Sequence, residues 1–393
     1  MRTLLEIALW VCLALVVWTQ LGYALLLALL VRLLRPSRLI GEPAVRARSP
    51  GDDVQREPTV SLVIAAHDEE AVVTEKVRNA LALEYPRELL EVIVACDGCT
   101  DATADRARSA GADLVLELPR GGKIRAQDAA VARAKSELVA FSDANSSWEP
   151  GALRELVGAF TDPQVGYVCG QVRFVQAATG ARATNQEGVY WRYEMAQRLA
   201  ESRLRSITAG NGAIYATRRE SYIVVDPIMG HDLSFPFNMV KRGWRAVYAP
   251  GARASEKMVP SIEGELARKR RMMSHTWPIV LRGGMLSPRG YGVGYALMIL
   301  SHRLLRYATP FLHALALAAN VALVADGAGA VYVITLALQL LLLALAWLGG
   351  MLHARPLLVA RYYVLTTASL ALGLWDWLRH GTSAAWEVAE GTR

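Results

Sequence analysis

The chain has 393 residues, 53% of them hydrophobic and 20% charged, with a formal net charge of +7 at pH 7 and a mean hydropathy of +0.23. A disordered chain is excluded, because it needs low hydrophobicity, and so is a small disulfide-stapled secreted domain, given the length and only four cysteines. Soluble proteins average about 45–50% apolar and about 25% charged residues, so the composition describes a mosaic of membrane spans and one soluble domain of roughly 230 residues, enough for a full core.

Residues 4–34 are apolar except for Glu6, Thr19, Gln20 and Arg32. The run exceeds the about 20 residues that a spanning helix needs. It is too long for the apolar region of a cleaved signal peptide, about 7–15 residues, and it ends in Arg32, Arg35 and Arg38. An N-terminal transmembrane helix over 1–34 is therefore expected, followed by a cytoplasmic linker over 35–58 rich in Pro, Arg, Gly and Asp.

Short β-branched apolar runs at 59–66, 90–95, 114–118 and 137–141 read as buried strands, and 69–82, 101–110 and 124–134 read as the helices between them. Such alternation implies βαβ units and a parallel sheet, here the centre of an α/β domain over 59–290. Residues 291–306 predict an amphipathic helix lying in the membrane interface, because Arg303 and Arg306 follow an apolar run. The alternative is that the segment lengthens the next span, which Pro310 opposes. Residues 307–378 then supply three transmembrane helices, at 307–325, 329–348 and 356–378, and 379–393 form a tail.

Arginines crowd the end of the first helix and the start of the later ones, from Arg268 to Arg289. The positive-inside rule makes both flanks of the central domain cytoplasmic, in a multi-pass protein of the cell (plasma) membrane. Three C-terminal spans would leave the C-terminus outside. The juxtamembrane arginines suit an anionic bilayer surface, at about 1 kcal/mol each. No basic stripe interleaved with aromatics is present, so nucleic acid is not an expected partner.

In open α/β sheets ligands bind beyond the carboxyl ends of the strands. That rule selects His67–Glu70, Asp97–Asp101 and Asp143–Asn145. No GxGxxG or Walker loop follows a strand, so the sheet is not that of a dinucleotide-binding oxidoreductase or a phosphate-loop ATPase. Asp97 lies in CDGCTD, either as a ligand or as turn and cap chemistry; its Cys96 and Cys99 form a CxxC that is redox-active, metal-binding or neither. Asp143 and Asn145 are loop residues, or, if the strand continues, they face the same way and both can reach one Mg²⁺ or Mn²⁺ on substrate phosphates. Gly121-Gly122-Lys123 is a flexible turn or a close approach to phosphate. His231 is a base or a loop residue, Asp232 a base or a helix cap. Arg268–Arg271 is a solvated basic cluster or a diphosphate clamp.

The order of these motifs is more specific than any one of them. SLVIAAHDEE from Ser61, VIVACDGCTD from Val92, GGK at Gly121, FSDANSSWEP from Phe141, YWRYE from Tyr190, TAGNGAIYATRR from Thr208, GHDLSFPFNMVKRGWRAVY from Gly230 and SHRLLRY from Ser301 together resemble a membrane-anchored family 2 glycosyltransferase. That group contains the hyaluronan, cellulose and poly-N-acetylglucosamine synthases. The resemblance implies a GT-A fold, a Rossmann-like nucleotide-sugar domain. It implies that Ala66, His67, Glu69 and Asp97 hold the nucleoside, and that Lys123, Arg270 and Arg271 meet the diphosphate. Asp143 and Asn145 would bind the divalent metal. Asn211, Gly212, Tyr215 and His231 would face the acceptor, and Asp232 would be the general base of one inverting displacement. The sequence departs from the family pattern at Asn145, which replaces a second carboxylate, at His67-Asp68 and at His231. It also lacks the Gln and Trp of the processive enzymes near Arg268–Met272.

The expected activity is transfer from a nucleoside-diphosphate sugar, a UDP-sugar by preference, to a lipid-linked or short glycan hydroxyl. The alternatives are a processive polysaccharide synthase, which with so few spans would need a homodimer to build a channel, and a non-catalytic nucleotide-sugar-binding regulator.

Overall fold

The structure, a computed structural model, describes residues 1–34, 57–175, 185–257, 262–352 and 354–384, with the side chains of 185–190 and 262–265 also outside that set. The expected linker 35–56, the tail beyond 384 and the Tyr190 side chain thus lie outside the described residues.

The chain opens with α1 (Arg2–Val17) and α2 (Tyr23–Leu34), joined through a π-helical turn at Trp18–Gly22 into one 33-residue apolar helix. The parallel half of the sheet follows: β1 (Val60–Ala66), α3 (Val73–Leu81), β2 (Leu90–Asp97), α4 (Thr103–Ser109), β3 (Leu114–Leu118), α5 (Lys123–Arg133) and β4 (Leu138–Asp143). After these come β5 (Ser147–Trp148), α6 (Ala152–Gly158), β6 (Val165–Val175), α7 (Asn185–Leu204), β7 (Ile214–Arg218), α8 (His231–Lys241), β8 (Arg245–Lys257) and α9 (Ile262–Leu281). The strand order is β3-β2-β1-β4-β7-β6-β8-β5. The pairs of β1 with β2 and β4, and of β2 with β3, are parallel, while β7 runs antiparallel to β4 and β6.

Both faces of the sheet are covered. All seven residues of β1 are buried, as a continuous apolar run in a parallel strand requires. Leu62 and Ile64 pack with Val77 of α3 and Leu156 of α6, whereas Val63 packs on the other side with Ala126 of α5, Met195 of α7 and Phe235 of α8. The period-2 alternation of strand side chains separates these two cores.

The C-terminal helices are α10 (Val293–Met298), α11 (Leu305–Ala325), α12 (Ala330–Leu348) and α13 (Arg355–His380). Two expectations change here. The separate interfacial helix over 291–306 does not form: α10, a π-helical turn at Ile299–Leu304 and α11 run on as one 33-residue helix through Pro310. Its arginines do not face lipid head groups. Glu194 of α7 accepts from both Arg303 (3.2 Å) and Arg306, and His302, fully buried, lies 2.7 Å from Glu201. A carboxylate supplied by another element, invisible to local periodicity, draws this face inward.

The second change concerns the last helix. It is long and apolar enough to cross a membrane, as expected, but its C-terminal end stays with the α/β domain. Arg355 and Leu370 line the same cavity, Asp376 pairs with Arg270 of α9 (2.5 Å), and beyond the helix Thr382 donates to the Ser274 carbonyl (2.8 Å). The tail expected on the far side instead returns to the domain, with Ala384 against Gly122.

Candidate active site

The strand ends of β1, β2 and β4 build one end of the site. Asp97, 1% exposed at the end of β2, accepts the backbone N–H groups of Gly121 (2.6 Å) and Gly122 (2.9 Å). This fixes the loop ahead of α5. Gly122 takes φ +93°, and a Cβ there would lie 2.1 Å from the Ala384 carbonyl oxygen, so only glycine fits. Lys123, the first residue of α5, is thereby aimed at Asp143, with which it forms an ion pair. His67 places Nδ1 2.7 Å from the Asp97 carbonyl and is met by Arg120. The Ala66 carbonyl accepts from Cys99 Sγ (3.5 Å), and the buried Glu69 donates its N–H to Thr103 Oγ1 (2.8 Å). Cys96 and Cys99 are free thiols; a hydrogen bond from Cys96 lowers Cys99 to about 7.

Asp143 and Asn145 do not share an extended face. The strand stops at Asp143, and the chain turns so that Ser146 N–H donates to the Asp143 carbonyl (3.2 Å). Two α3 residues clamp the turn. Lys76 Nζ donates to the Ser146 carbonyl (2.7 Å), and the Asn79 amide exchanges two 2.9 Å hydrogen bonds with the Trp148 backbone. Of the expected pair only Asp143 lines the central cavity. Its companion there is Glu256, near the end of β8, whose carboxyl is pushed up to about 7 by burial and by the charge of Asp143. Sequence reading missed Glu256. The available signal was its parity: it follows the buried Ala252 and Ala254 at period two.

The other end is built by the 208–213 loop and α8. The Asn211 amide is committed to its own loop, donating to the Gly170 carbonyl (2.6 Å) and accepting from Ala213 (3.2 Å) and Ile214 (2.9 Å). Gly212 lies against Lys123: a Cβ there would sit 3.3 Å from Nζ. Tyr215, 1% exposed and stacked on Phe141, places its hydroxyl 2.8 Å from His231 Nδ1. It supports His231 from below. Burial, together with the charge of Lys123, pulls His231 well below its usual range and keeps it neutral. Asp232 follows in the first turn of α8, and its carbonyl accepts from Gly210 N–H (2.7 Å).

Lys123, Asp143, Glu256, His231 and Asp232 open onto one cavity of about 1800 Å³ that continues between α7, α9, α11 and α13. The basic cluster meets it through Arg268 and Lys269, not through the expected Arg270 and Arg271. In α9 the cavity-lining positions are 268, 269, 272, 273 and 276, the i, i+3/i+4 face of a helix. Arg270 points away to Asp376.

The model of the Glycosyltransferase like family 2 matches residues 58–274, more than half of the chain. Among curated relatives, the "Probable glycosyltransferase YdaM" of Bacillus subtilis is 29% identical over 136 residues, 32% of this chain and 32% of that protein. The "Beta-monoglucosyldiacylglycerol synthase" of Synechocystis is 31% identical over 116 residues, 28% of this chain and 24% of that protein. The chain thus matches a third or less of the length of these two relatives. The solved mannosyltransferase PcManGT from Pyrobaculum calidifontis, in complex with GDP-Man and Mn²⁺, superposes on 95% of this chain and 99% of its own with a TM-score of 0.66 at 22% identity, which shows a common fold. The strand order, the acidic strand ends and the family match agree: this chain is a member of glycosyltransferase family 2 with a GT-A domain and, among the described residues, four long apolar helices.

Proposed function

We propose that the protein is an inverting, metal-dependent glycosyltransferase that moves a sugar from a nucleoside-diphosphate sugar to a hydroxyl on a lipid or lipid-linked acceptor. The observation that carries this reading is the cavity itself. It joins the Lys123–Asp143 pair at the strand ends to Asp232 and then runs between helices long and apolar enough for a bilayer. The Synechocystis relative, named for glucosyldiacylglycerol synthesis, supports a lipid acceptor.

The donor set suits a hard divalent cation. Asp143 and Glu256 are two carboxylates on one cavity wall whose charges oppose each other, and such a pair is relieved by a shared cation with oxygen ligands. Mg²⁺ or Mn²⁺ bound there would neutralise charge developing on the leaving diphosphate. Ala66, His67, Glu69 and Asp97 border the nucleoside end. Lys123 and Arg268 supply cationic stabilisation of the leaving group, which is worth most in a water-poor site. Asp232 takes the proton from the acceptor hydroxyl as it attacks the anomeric carbon. A single displacement needs no second carboxylate as nucleophile, in contrast to a retaining glycosidase. Neutral His231 sits beside the base without competing for its proton.

In the bilayer the α/β domain is cytoplasmic, as the arginine-rich flanks indicate. The 293–325 helix and α12 make an outward and a returning crossing, and α13 lies at the interface above the cavity. The test is sugar transfer by the full-length protein in nanodiscs, with a panel of UDP- and GDP-sugars and a mixed bacterial lipid extract. Asp232→Asn should abolish transfer and leave nucleotide binding intact. Normal turnover in that variant would overturn the mechanism.

A further inference from the structure

Arg198 has no part in the chemistry above, yet it is the most unusual charge in the cavity wall. It is 4% exposed. Its Nη2 donates to the Gly210 carbonyl (3.1 Å), its guanidinium lies 5.8 Å from the Tyr248 ring, and the Cys169 sulfur is beside it. Its Nε and Nη1 are buried without a hydrogen-bond partner. Among the described residues no carboxylate lies within ion-pairing distance of it. A buried charge without a counter-ion is costly, and a carbonyl, a thiol and a ring face compensate only part of that.

The surroundings give the missing partner its sign and its anchor. One turn earlier on the same face of α7, Glu194 is already committed to Arg303 and Arg306. Burial opposes its charge, but Arg306, His302 and Arg303 outweigh burial and hold it well below the usual carboxylate range. Glu194 therefore has nothing left for Arg198. The Gly210 carbonyl links Arg198 directly to the loop whose Gly210 N–H bonds the Asp232 carbonyl, which places it beside the proposed base. From there the cavity passes Tyr307 and continues along α13, where Leu358, Val359 and Leu370 alternate with the hydroxyls of Tyr362, Thr366 and Ser369.

We infer that Arg198, backed by Arg303 and Arg306, is a subsite for an anionic group carried on the acceptor, and that this acceptor is an anionic lipid, its phosphate or carboxylate at Arg198 and its tail along α13. The inference rests on the glycosyltransferase reading and narrows its acceptor class. A neutral glycolipid would satisfy hydrogen bonds at Arg198 but would leave the charge uncompensated.

The experiment uses the full-length protein in detergent and native mass spectrometry. It compares retention of phosphatidylglycerol with that of diacylglycerol, and adds free glycerol 3-phosphate as a competitor. The wild type should retain phosphatidylglycerol at least about tenfold better than diacylglycerol, and millimolar glycerol 3-phosphate should not displace it. Arg198→Gln should abolish that preference with nucleotide affinity unchanged and thermal stability equal or higher, because a costly buried charge is gone; Arg198→Lys should keep part of the preference. Equal retention of the neutral lipid, displacement by the free phosphate, loss of nucleotide affinity in Arg198→Gln, or a lower melting temperature would each overturn the inference. An anionic preference in a protein that transfers no sugar from any donor would instead leave this subsite standing and refute the proposed activity.

Discussion

Removing the Glu194 charge tests whether the α/β domain and the membrane helices form one unit. Glu194 is 6% exposed and accepts from Arg303 at 3.2 Å and from Arg306. Glu194→Gln keeps the shape and deletes the charge, so two guanidinium groups remain buried with their carboxylate gone. Breaking a buried pair in this way costs about 3–5 kcal/mol. At roughly 2–4 °C per kcal/mol for a domain of this size, the melting temperature should fall by on the order of 10 °C in differential scanning fluorimetry of the detergent-solubilised protein. The control is Glu57→Gln, which breaks an exposed pair with Arg154 and should change little, as surface pairs do. The sign with pH follows from the depressed carboxyl of Glu194. Its stabilisation is present above the unfolded value of about 4.5 and is lost as pH falls through the lower folded value. A Glu194→Gln protein that melts with the control would refute the clamp.

Four further outcomes are expected. In Mn²⁺ titrations read by electron paramagnetic resonance, Asp143→Asn and Glu256→Gln should each weaken binding by at least about tenfold and Asn145→Ala should not; equal losses would restore the Asp-x-Asn reading. Because the free Glu256 carboxyl sits at about 7, Mn²⁺ affinity should fall as pH drops below that value, since the ligand must be deprotonated. Gly122→Ala should cost about 1–3 kcal/mol from its positive φ and raise the donor KM by displacing Lys123; wild-type kinetics would contradict the role of the loop. Buried neutral His231 should make stability decline as pH falls below the unfolded imidazole value of about 6.5, down to its depressed folded value, by at most about 1.4 kcal/mol per pH unit. The acid limb of His231→Gln in chemical denaturation should be correspondingly flatter.

The parallel half of the domain was readable because its signals are local. Continuous apolar runs ending at His67-Asp68, Asp97-Gly98 and Ser142-Asp143 mark β1, β2 and β4, and the carboxyl-end rule points from them to His67, Asp97 and Asp143. The failures share one cause, which is partners distant in sequence. Arg303 and Arg306 looked interfacial because Glu194 is more than a hundred residues away. Arg270 looked like a phosphate ligand because Asp376 is equally remote. Asn145 was paired with Asp143 on the assumption that β4 continues, but α3 forces a turn through Lys76 and Asn79. Glu256 comes from the far end of the sheet and reaches Asp143 only through the strand order.

The placement of α13 ties these corrections together. Four crossings would carry the C-terminus away from the α/β domain, and nothing at the far side could then hold Asp376 or Thr382. The Asp376–Arg270 pair and the Thr382–Ser274 bond hold the end of α13 at the domain, which is why the proposed topology gives two crossings after the domain, by the 293–325 helix and α12. In that topology α13 carries Arg361, Asp376 and Arg379, charges that are expensive at a bilayer centre but ordinary at an interface, where long side chains reach water. The same placement makes the cavity a junction. In the proposed function the carboxyl edge of the sheet takes the water-soluble donor at one end of the cavity, and α13 lines the other. Asp232, between the two, is where a hydroxyl arriving from the membrane side would meet an anomeric carbon arriving from the other.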